Sequence, residues 1–327
     1  MKARDTPRKR STPALLIASL SATPKRRTNA SRTVLLTHPE RVIYPDAGYT
    51  KRDVADYYLA VAPQLLPEVI GRPLSLVRCP NGANEKCFFQ KHDAGMLGED
   101  VQSASLAEKD GVSTPHIVID NVAGLIELVQ RNTIELHTWG ALALDAEHPD
   151  RMVFDLDPDT RVGWPELVAA ARELRAALSE YKLASFVRLS GGKGVHVVVP
   201  IARGPDWGEV KQFCEALARL MVARWPDRYI ASASKTKRRG RIFIDWLRNT
   251  RGATSVASWS LRARPGAPVA VPLRWADLAR IRSATAFDLA AAKRRAAYAQ
   301  PWRDFDHACQ QRLPKIADLS EMISARW

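Results

Sequence analysis

The 327-residue chain contains no run approaching eighteen consecutive apolar residues, which excludes a membrane-spanning helix. Its four cysteines (Cys79, Cys87, Cys214 and Cys309) show no CxxC spacing, which argues against a thiolate zinc site. They read as reduced thiols of a cytoplasmic protein, and no Cys79–Cys87 pair is expected. No segment repeats at a fixed period, so a solenoid or propeller is excluded. Acidic residues are nearly missing from positions 1–32, where Asp5 stands alone against nine Lys and Arg. That stretch therefore carries about +8 of the formal charge of +14. An apolar run from Pro13 to Leu20 imitates a secretory signal, but it is short and no A-x-A cleavage pattern follows. Residues 1–32 read as a disordered basic arm and 33–327 as the folded body. A basic body with a basic arm suits a polyanionic partner.

What is present is a chain with 46% hydrophobic and 26% charged residues, enough for a large core. Thr50-Lys-Arg-Asp53 has the form of a capping box and opens an amphipathic helix running to about Val69. Strands are predicted at Leu74–Arg78, Cys87–Lys91, His116–Asp120 and Ile134–His137, with a helix over Val122–Gln130. Further helices are predicted from Trp164 to Ser179 and from Asp206 to Arg224, and the last thirty-odd residues look helical. Periodic segments of both kinds alternate, so the class is α+β or mixed α/β.

Three aspartates carry most of the chemical information. Asp155 and Asp157 stand in Met152-Val-Phe-Asp-Leu-Asp-Pro-Asp159, and Asp245 stands in Arg241-Ile-Phe-Ile-Asp-Trp-Leu-Arg248. Residues i and i+2 of a strand share a face, so Asp155 and Asp157 project together while Met152, Phe154 and Leu156 face away. Two like charges on an apolar strand are costly unless a cation lies between them. Asp245, in a second apolar run, is placed to close such a site, whereas Asp159 reads as a turn residue after Pro158. Carboxylates of this kind suit Mg²⁺ or Mn²⁺ in a two-metal site that handles phosphate esters.

Ser190-Gly-Gly-Lys-Gly194 lies between two β runs and is followed by His196. It is not a P-loop, because Lys193 precedes Gly194 rather than Ser or Thr. An ordinary hairpin turn would also use these glycines. Beside three aspartates, though, the hydroxyl, ammonium and imidazole suit a triphosphate. Arg248, Arg262 and Arg264 follow Asp245 within twenty residues, the last two on one face of an expected strand. Such guanidiniums clamp phosphate oxygens. Of Phe88 and Phe89, one reads as core and the other as a platform for a base.

DLDPD, SGGKGVH, FIDWLRN and SWSLRARPG, in that order, resemble the polymerase domain of bacterial ATP-dependent DNA ligase D, of the archaeo-eukaryotic primase superfamily. The resemblance covers about Leu35 to Arg280. It implies an α+β primase-type catalytic core of mixed sheets with flanking helices, in which one module resembles an RNA-recognition fold. It assigns Asp155, Asp157 and Asp245 to the metals, and Ser190, Lys193, His196 and Arg248 to the nucleotide triphosphate. It gives His137 a place at the metal or phosphate, Phe89 a stacked base, and Arg262 and Arg264 the arginine pair beside the metals. Arg41 and Lys51 match two basic positions that recognise a DNA 5′-phosphate. The implied reaction extends a primer 3′-hydroxyl with NTP or dNTP at gaps or broken ends, as in bacterial non-homologous end joining. Implied partners are DNA, and Ku with a separate DNA ligase; the implied location is cytoplasmic, at the nucleoid. Ligase D joins this domain to others for which 327 residues leave no room, so a stand-alone paralogue, a split component or an excised domain is expected. The rival readings are a primase that starts chains de novo and a non-catalytic DNA-end-binding module. A metal-dependent nuclease would also use clustered aspartates, without needing a triphosphate pocket.

Overall fold

The computed structural model describes residues 34–315 apart from 94, 96, 109 and 110. The basic arm expected over 1–32 lies outside the described residues. A short ribbon pairs β1 (Val42–Tyr44) with β2 (Tyr49–Thr50) and leads into α1 (Lys51–Val69). The Thr50 hydroxyl accepts from the Asp53 amide and the Asp53 carboxylate accepts from the Thr50 amide, so the predicted capping box forms.

The first large sheet contains β3 (Leu74–Arg78), β4 (Phe88–Gln90), β5 (Gln102–Ala107), β6 (Ser113–Val118), β7 (Thr133–Thr138) and, near its other edge, β13 (Ser255–Val256). Helix α2 (Val122–Gln130) connects β6 to β7 and has the predicted bounds. β5 was not expected, because Gln102-Ser-Ala-Ser-Leu-Ala107 lacks β-branched and aromatic residues. It is held by its hairpin with β6 rather than by propensity.

The second large sheet carries the aspartates. Its order is β11 (Tyr229–Ile230), β12 (Ile242–Asp245), β8 (Arg151–Pro158), β10 (Val195–Pro200), β9 (Phe186–Leu189), β14 (Pro272–Leu273). α3 (Trp164–Glu180) and α4 (Trp207–Arg224) are the two long predicted helices. Met152, Phe154 and Leu156 are fully buried, as the two-residue period of β8 requires. A continuous hydrophobic core includes these residues together with Leu74, Leu76 and Leu136 of the first sheet.

Three expectations are corrected. Cys79 and Cys87 form a disulfide, because the antiparallel register Arg78↔Phe88 sets the next residue of one strand opposite the preceding residue of the other, with Cα atoms 4.3 Å apart. Cys214 and Cys309 are free thiols. Arg262 and Arg264 do not lie on a strand: only Leu261 makes a bridge, to Val269, and the chain turns beyond it. The end of the chain is helical only at α5 (Leu289–Ala296) and α6 (Phe305–Ala308) among the described residues. No helix among the described residues is long and apolar enough to cross a membrane.

Candidate active site

β8 is central to the site because both of its neighbours present polar side chains to Asp155. Asp155 lies directly opposite Asp245 of β12 on one side and His196 of β10 on the other. Cross-strand partners share a sheet face with Cβ atoms about 4.5–5.5 Å apart. At that separation two unit charges repel by roughly 3 kcal/mol in an effective dielectric of 20. Arg248 answers this repulsion: its Nε is 3.1 Å from Asp245 and its Nη2 is 3.5 Å from Asp155. Asp157, two residues along the same face, is bonded instead by Arg238 at 2.8 Å. The Arg238 guanidinium also covers the Phe243 ring at 4.0 Å. The aspartates share one face but do not close into a tight three-ligand cluster, since each is engaged by an arginine.

The titration of these groups follows their surroundings. Burial pushes Asp155 up, yet His196, Arg248 and Arg262 outweigh it and hold the carboxyl at about 2. Asp245 is raised by burial, with the Asp155 charge adding to the effect. Burial lowers the His196 pKa, against the opposite pull of Asp155. Arg188 Nε donates to His196 Nδ1 at 3.2 Å, which leaves the Nε2 proton facing Asp155, 3.5 Å away.

The glycine loop forms the tip of the β9–β10 hairpin, with Leu189 opposite Val195. The Ser190 hydroxyl accepts from the Gly192 and Gly194 amides, each at 3.2 Å, so it shapes the loop. Gly191 has φ +64°, and a Cβ there would collide with the Val269 backbone at 2.9 Å. Lys193 remains exposed and lines the cleft with Ser190, His137, Asp155, Asp157, His196, Arg248, Arg262 and Arg264. That cleft holds about 230 Å³. Arg262 donates to Glu135 at 3.0 Å and to the Ser190 carbonyl. His137 bonds the same Glu135 oxygen at 2.8 Å, and its ring meets Phe89 edge-on at 5.7 Å. Phe89 is 66% exposed beside this cleft; Phe88 is exposed too, at 43% with Arg78 over its ring, so neither of the pair is the core residue expected.

Arg41 and Lys51 sit apart from the cleft, Arg41 just before β1 and Lys51 as the first residue of α1. The Lys51 ammonium is buried and donates to the Thr37 carbonyl, the Gln130 carbonyl and the Gln130 side chain at 2.8–3.1 Å. A phosphate at Lys51 would have to replace one of these acceptors. Burial, with Arg41 and Arg131 adding, lowers the Lys51 pKa, which identifies a cluster of three cations.

Several contributing residues carried no recognised sequence signal. Arg238 lies in a basic run that reads as surface charge. Buried Arg188 pairs with Glu68 of α1 and donates to Ser255, behind His196. Asn249 bonds the amide and carbonyl of Val153 at 2.7 and 2.8 Å, holding β8 from its side. Glu135 was legible in principle, two residues from His137 on one strand face.

Comparison with known proteins agrees with this geometry. Residues 50–302 match the family model described as the LigD primase-polymerase domain. The multifunctional non-homologous end joining protein LigD of Pseudomonas aeruginosa is 37% identical over 279 residues, 84% of this chain and 33% of that protein. The corresponding Mycolicibacterium smegmatis protein is 34% identical over 75% of this chain and 32% of its own length. This chain thus spans about a third of the length of the curated relatives it matches. The polymerase domain of Mycobacterium tuberculosis ligase D, solved in complex with DNA, superposes with a TM-score of 0.78 at 29% identity, covering 84% of this chain and 98% of that one. The ordered motifs, the paired aspartate strands and these matches together establish that the chain belongs to the LigD primase-polymerase family.

Proposed function

We propose that this chain catalyses template-directed nucleotidyl transfer onto a primer 3′-hydroxyl. The observation that carries the proposal is the placement of Asp155, Asp157 and Asp245 on one sheet face, the first two lining the cleft with the Ser190–Gly194 hairpin. The donor set fits hard divalent cations, since it offers carboxylate oxygens without thiolate. Asp155, Asp157 and Asp245 would hold Mg²⁺ or Mn²⁺, which when bound neutralises phosphate charge and favours deprotonation of the attacking hydroxyl.

The chain's own cations define where a triphosphate fits. Lys193, Arg262 and Arg264 line the cleft beside the aspartates and would bind its phosphate oxygens. The Glu135 bond fixes the direction of Arg262, so the guanidinium is oriented before the nucleotide arrives. His196 points its Nε2 proton toward Asp155, where it orients that carboxylate and can donate to an adjacent phosphate oxygen. Arg248 bridges Asp155 and Asp245 and would bind a phosphate oxygen if cations took its place between the carboxylates. Phe89 would stack on a base, as its exposure beside His137 favours.

The partner is DNA with a 5′-phosphate at a gap or broken end. The cluster of Arg41, Lys51 and Arg131 supports a terminal phosphate at that end of the molecule, with Arg41 and Arg131 exposed. The relatives' printed names concern non-homologous end joining, the setting we propose for this chain, and the resemblance to ligase D implies Ku and a separate ligase as its companions. Primer extension on a gapped duplex, with ribonucleotides and deoxyribonucleotides in Mg²⁺ and Mn²⁺, tests this reading. It expects metal-dependent addition of nucleotides to the primer. No addition of any nucleotide in either metal would overturn it.

A further inference from the structure

A second group of ligating side chains lies outside the aspartate cleft. His92 follows β4, Glu108 follows β5, and His116 lies within β6. His92 and His116 are bridge partners on adjacent segments, with ring centroids 4.8 Å apart. Glu108 Oε1 approaches His116 Nε2 at 3.1 Å. One donor atom from each residue lies within 4.8 Å of the other two. None of the three lines the cleft that holds Asp155.

A histidine–glutamate pair alone explains only part of this arrangement. It uses one ring nitrogen of His116 and leaves the His92 imidazole without a role. His116 is 2% exposed, and its Nδ1 is buried with no hydrogen-bond partner. An unpartnered buried polar atom is costly, so the histidine–glutamate pair alone leaves the ring unsatisfied. Thr114 Oγ1 donates to Glu108 Oε1 at 3.1 Å, which orients the carboxylate. Trp139 packs edge-on against the His116 ring at 5.2 Å and gives the group an apolar wall.

We propose that His92, Glu108 and His116 bind one divalent cation of the zinc class. Two imidazoles and a carboxylate suit Zn²⁺, Co²⁺ or Ni²⁺ better than Mg²⁺, which prefers oxygen donors alone. Zinc with ligand bonds near 2.0–2.1 Å needs donors roughly 3.3 Å apart, so the exposed His92 must swing inward on binding. The absence of CxxC spacing excludes only thiolate sites, so this site escapes a search that follows cysteines.

The position gives the cation a consequence. It would cross-link the exit of β4 to the β5–β6 hairpin. Phe89 lies in β4, three residues before His92, with its ring against His137. Binding would therefore restrain the strand that presents Phe89 to the cleft, without contributing to the aspartate site.

The test titrates chelator-stripped protein with Zn²⁺ and, separately, with Co²⁺ followed by visible spectroscopy. The parent should take up one equivalent more than His92→Ala, with cobalt bands that zinc displaces and a melting temperature that rises with Zn²⁺. His92→Ala, at an exposed position, should weaken zinc binding roughly tenfold or more and remove the thermal shift. His116→Gln should do the same, its fold checked by circular dichroism. Asp155→Ala should retain the site. Unchanged zinc affinity in His92→Ala, or loss of the equivalent in Asp155→Ala alone, would overturn the proposal. Neither result depends on polymerase activity.

Discussion

Asp155 and Asp245 are direct cross-strand partners in the antiparallel pairing of β8 with β12. They come from segments ninety residues apart in sequence, and only strand register brings them together. The register also explains why Asp245 is raised by burial and by its neighbour while Asp155 is held low. The pair costs stability that a packing residue would not, which is the mark of a carboxylate retained for its chemistry.

Asp245→Asn separates stability from function. Removing a carboxyl whose pKa is raised should leave the metal-free fold unchanged or more stable, while nucleotide addition falls by a hundredfold or more, on the order seen for loss of one transition-state contact. Thermal melting and primer extension on the same preparation check both halves. A large loss of stability would assign Asp245 a structural role instead.

Arg238 competes for Asp157. Its guanidinium lies 2.8 Å from a carboxylate that is 42% exposed, so the pair is worth only about 0.5–1 kcal/mol. Arg238→Ala should therefore lower the Mn²⁺ concentration needed for half-maximal activity by about two- to fivefold at low nucleotide. A higher metal requirement would show that Arg238 serves the site in another way.

Behind the cleft, Glu68 and Arg188 form a buried ion pair, which Ser255 and Ser258 extend through hydrogen bonds. Glu68→Gln leaves Arg188 without a charged partner and should destabilise the fold by about 3–5 kcal/mol, read by urea denaturation. Because Arg188 also holds His196, any folded variant should lose activity as well. A neutral outcome in both assays would remove this pair from the account.

Glu135 sets an acid limit. Burial raises its pKa, but His137 and Arg262 outweigh it and bring it from 4.5 to about 2. A carboxyl depressed on folding contributes stability that is fully present above its unfolded pKa and is lost as pH falls toward the folded value. The contribution is about 3 kcal/mol, lost between about pH 5 and pH 2. Urea midpoints across that range should fall less steeply in Glu135→Gln than in the parent. Parallel curves would contradict the assignment.

Arg41 and Lys51 should behave differently when truncated. Arg41→Ala should abolish preference for a 5′-phosphorylated gap and leave the fold intact. Lys51→Met should destabilise, because it strips a buried donor from the Thr37 and Gln130 carbonyls. Equal phosphate preference in Arg41→Ala and parent would move the phosphate site elsewhere.

Much of this was legible in the residues themselves. The capping boxes at Thr50 and Asp206 and the two-residue period of β8 are local signals, and the structure contains each. The hairpin at Gly191–Gly194 is local too. What escaped depends on pairing between distant segments. Cys79 and Cys87 are joined because β3 and β4 are in register, which spacing alone does not reveal. The strand β5 survives poor propensity because β6 supplies its partner. Arg238 and Arg188 look like surface charge and an ordinary strand residue until the fold sets them against Asp157 and Glu68. Arg262 and Arg264 reach the cleft from a turn, so the alternation expected of them did not matter.

The most direct test compares parent and Asp155→Ala on a primed, gapped, 5′-phosphorylated duplex with ribonucleotides and Mn²⁺. Extension should disappear in the variant while its affinity for the duplex stays within about twofold of the parent, since the carboxylate is not a DNA-phosphate contact. Undiminished extension by Asp155→Ala would contradict the account at its centre.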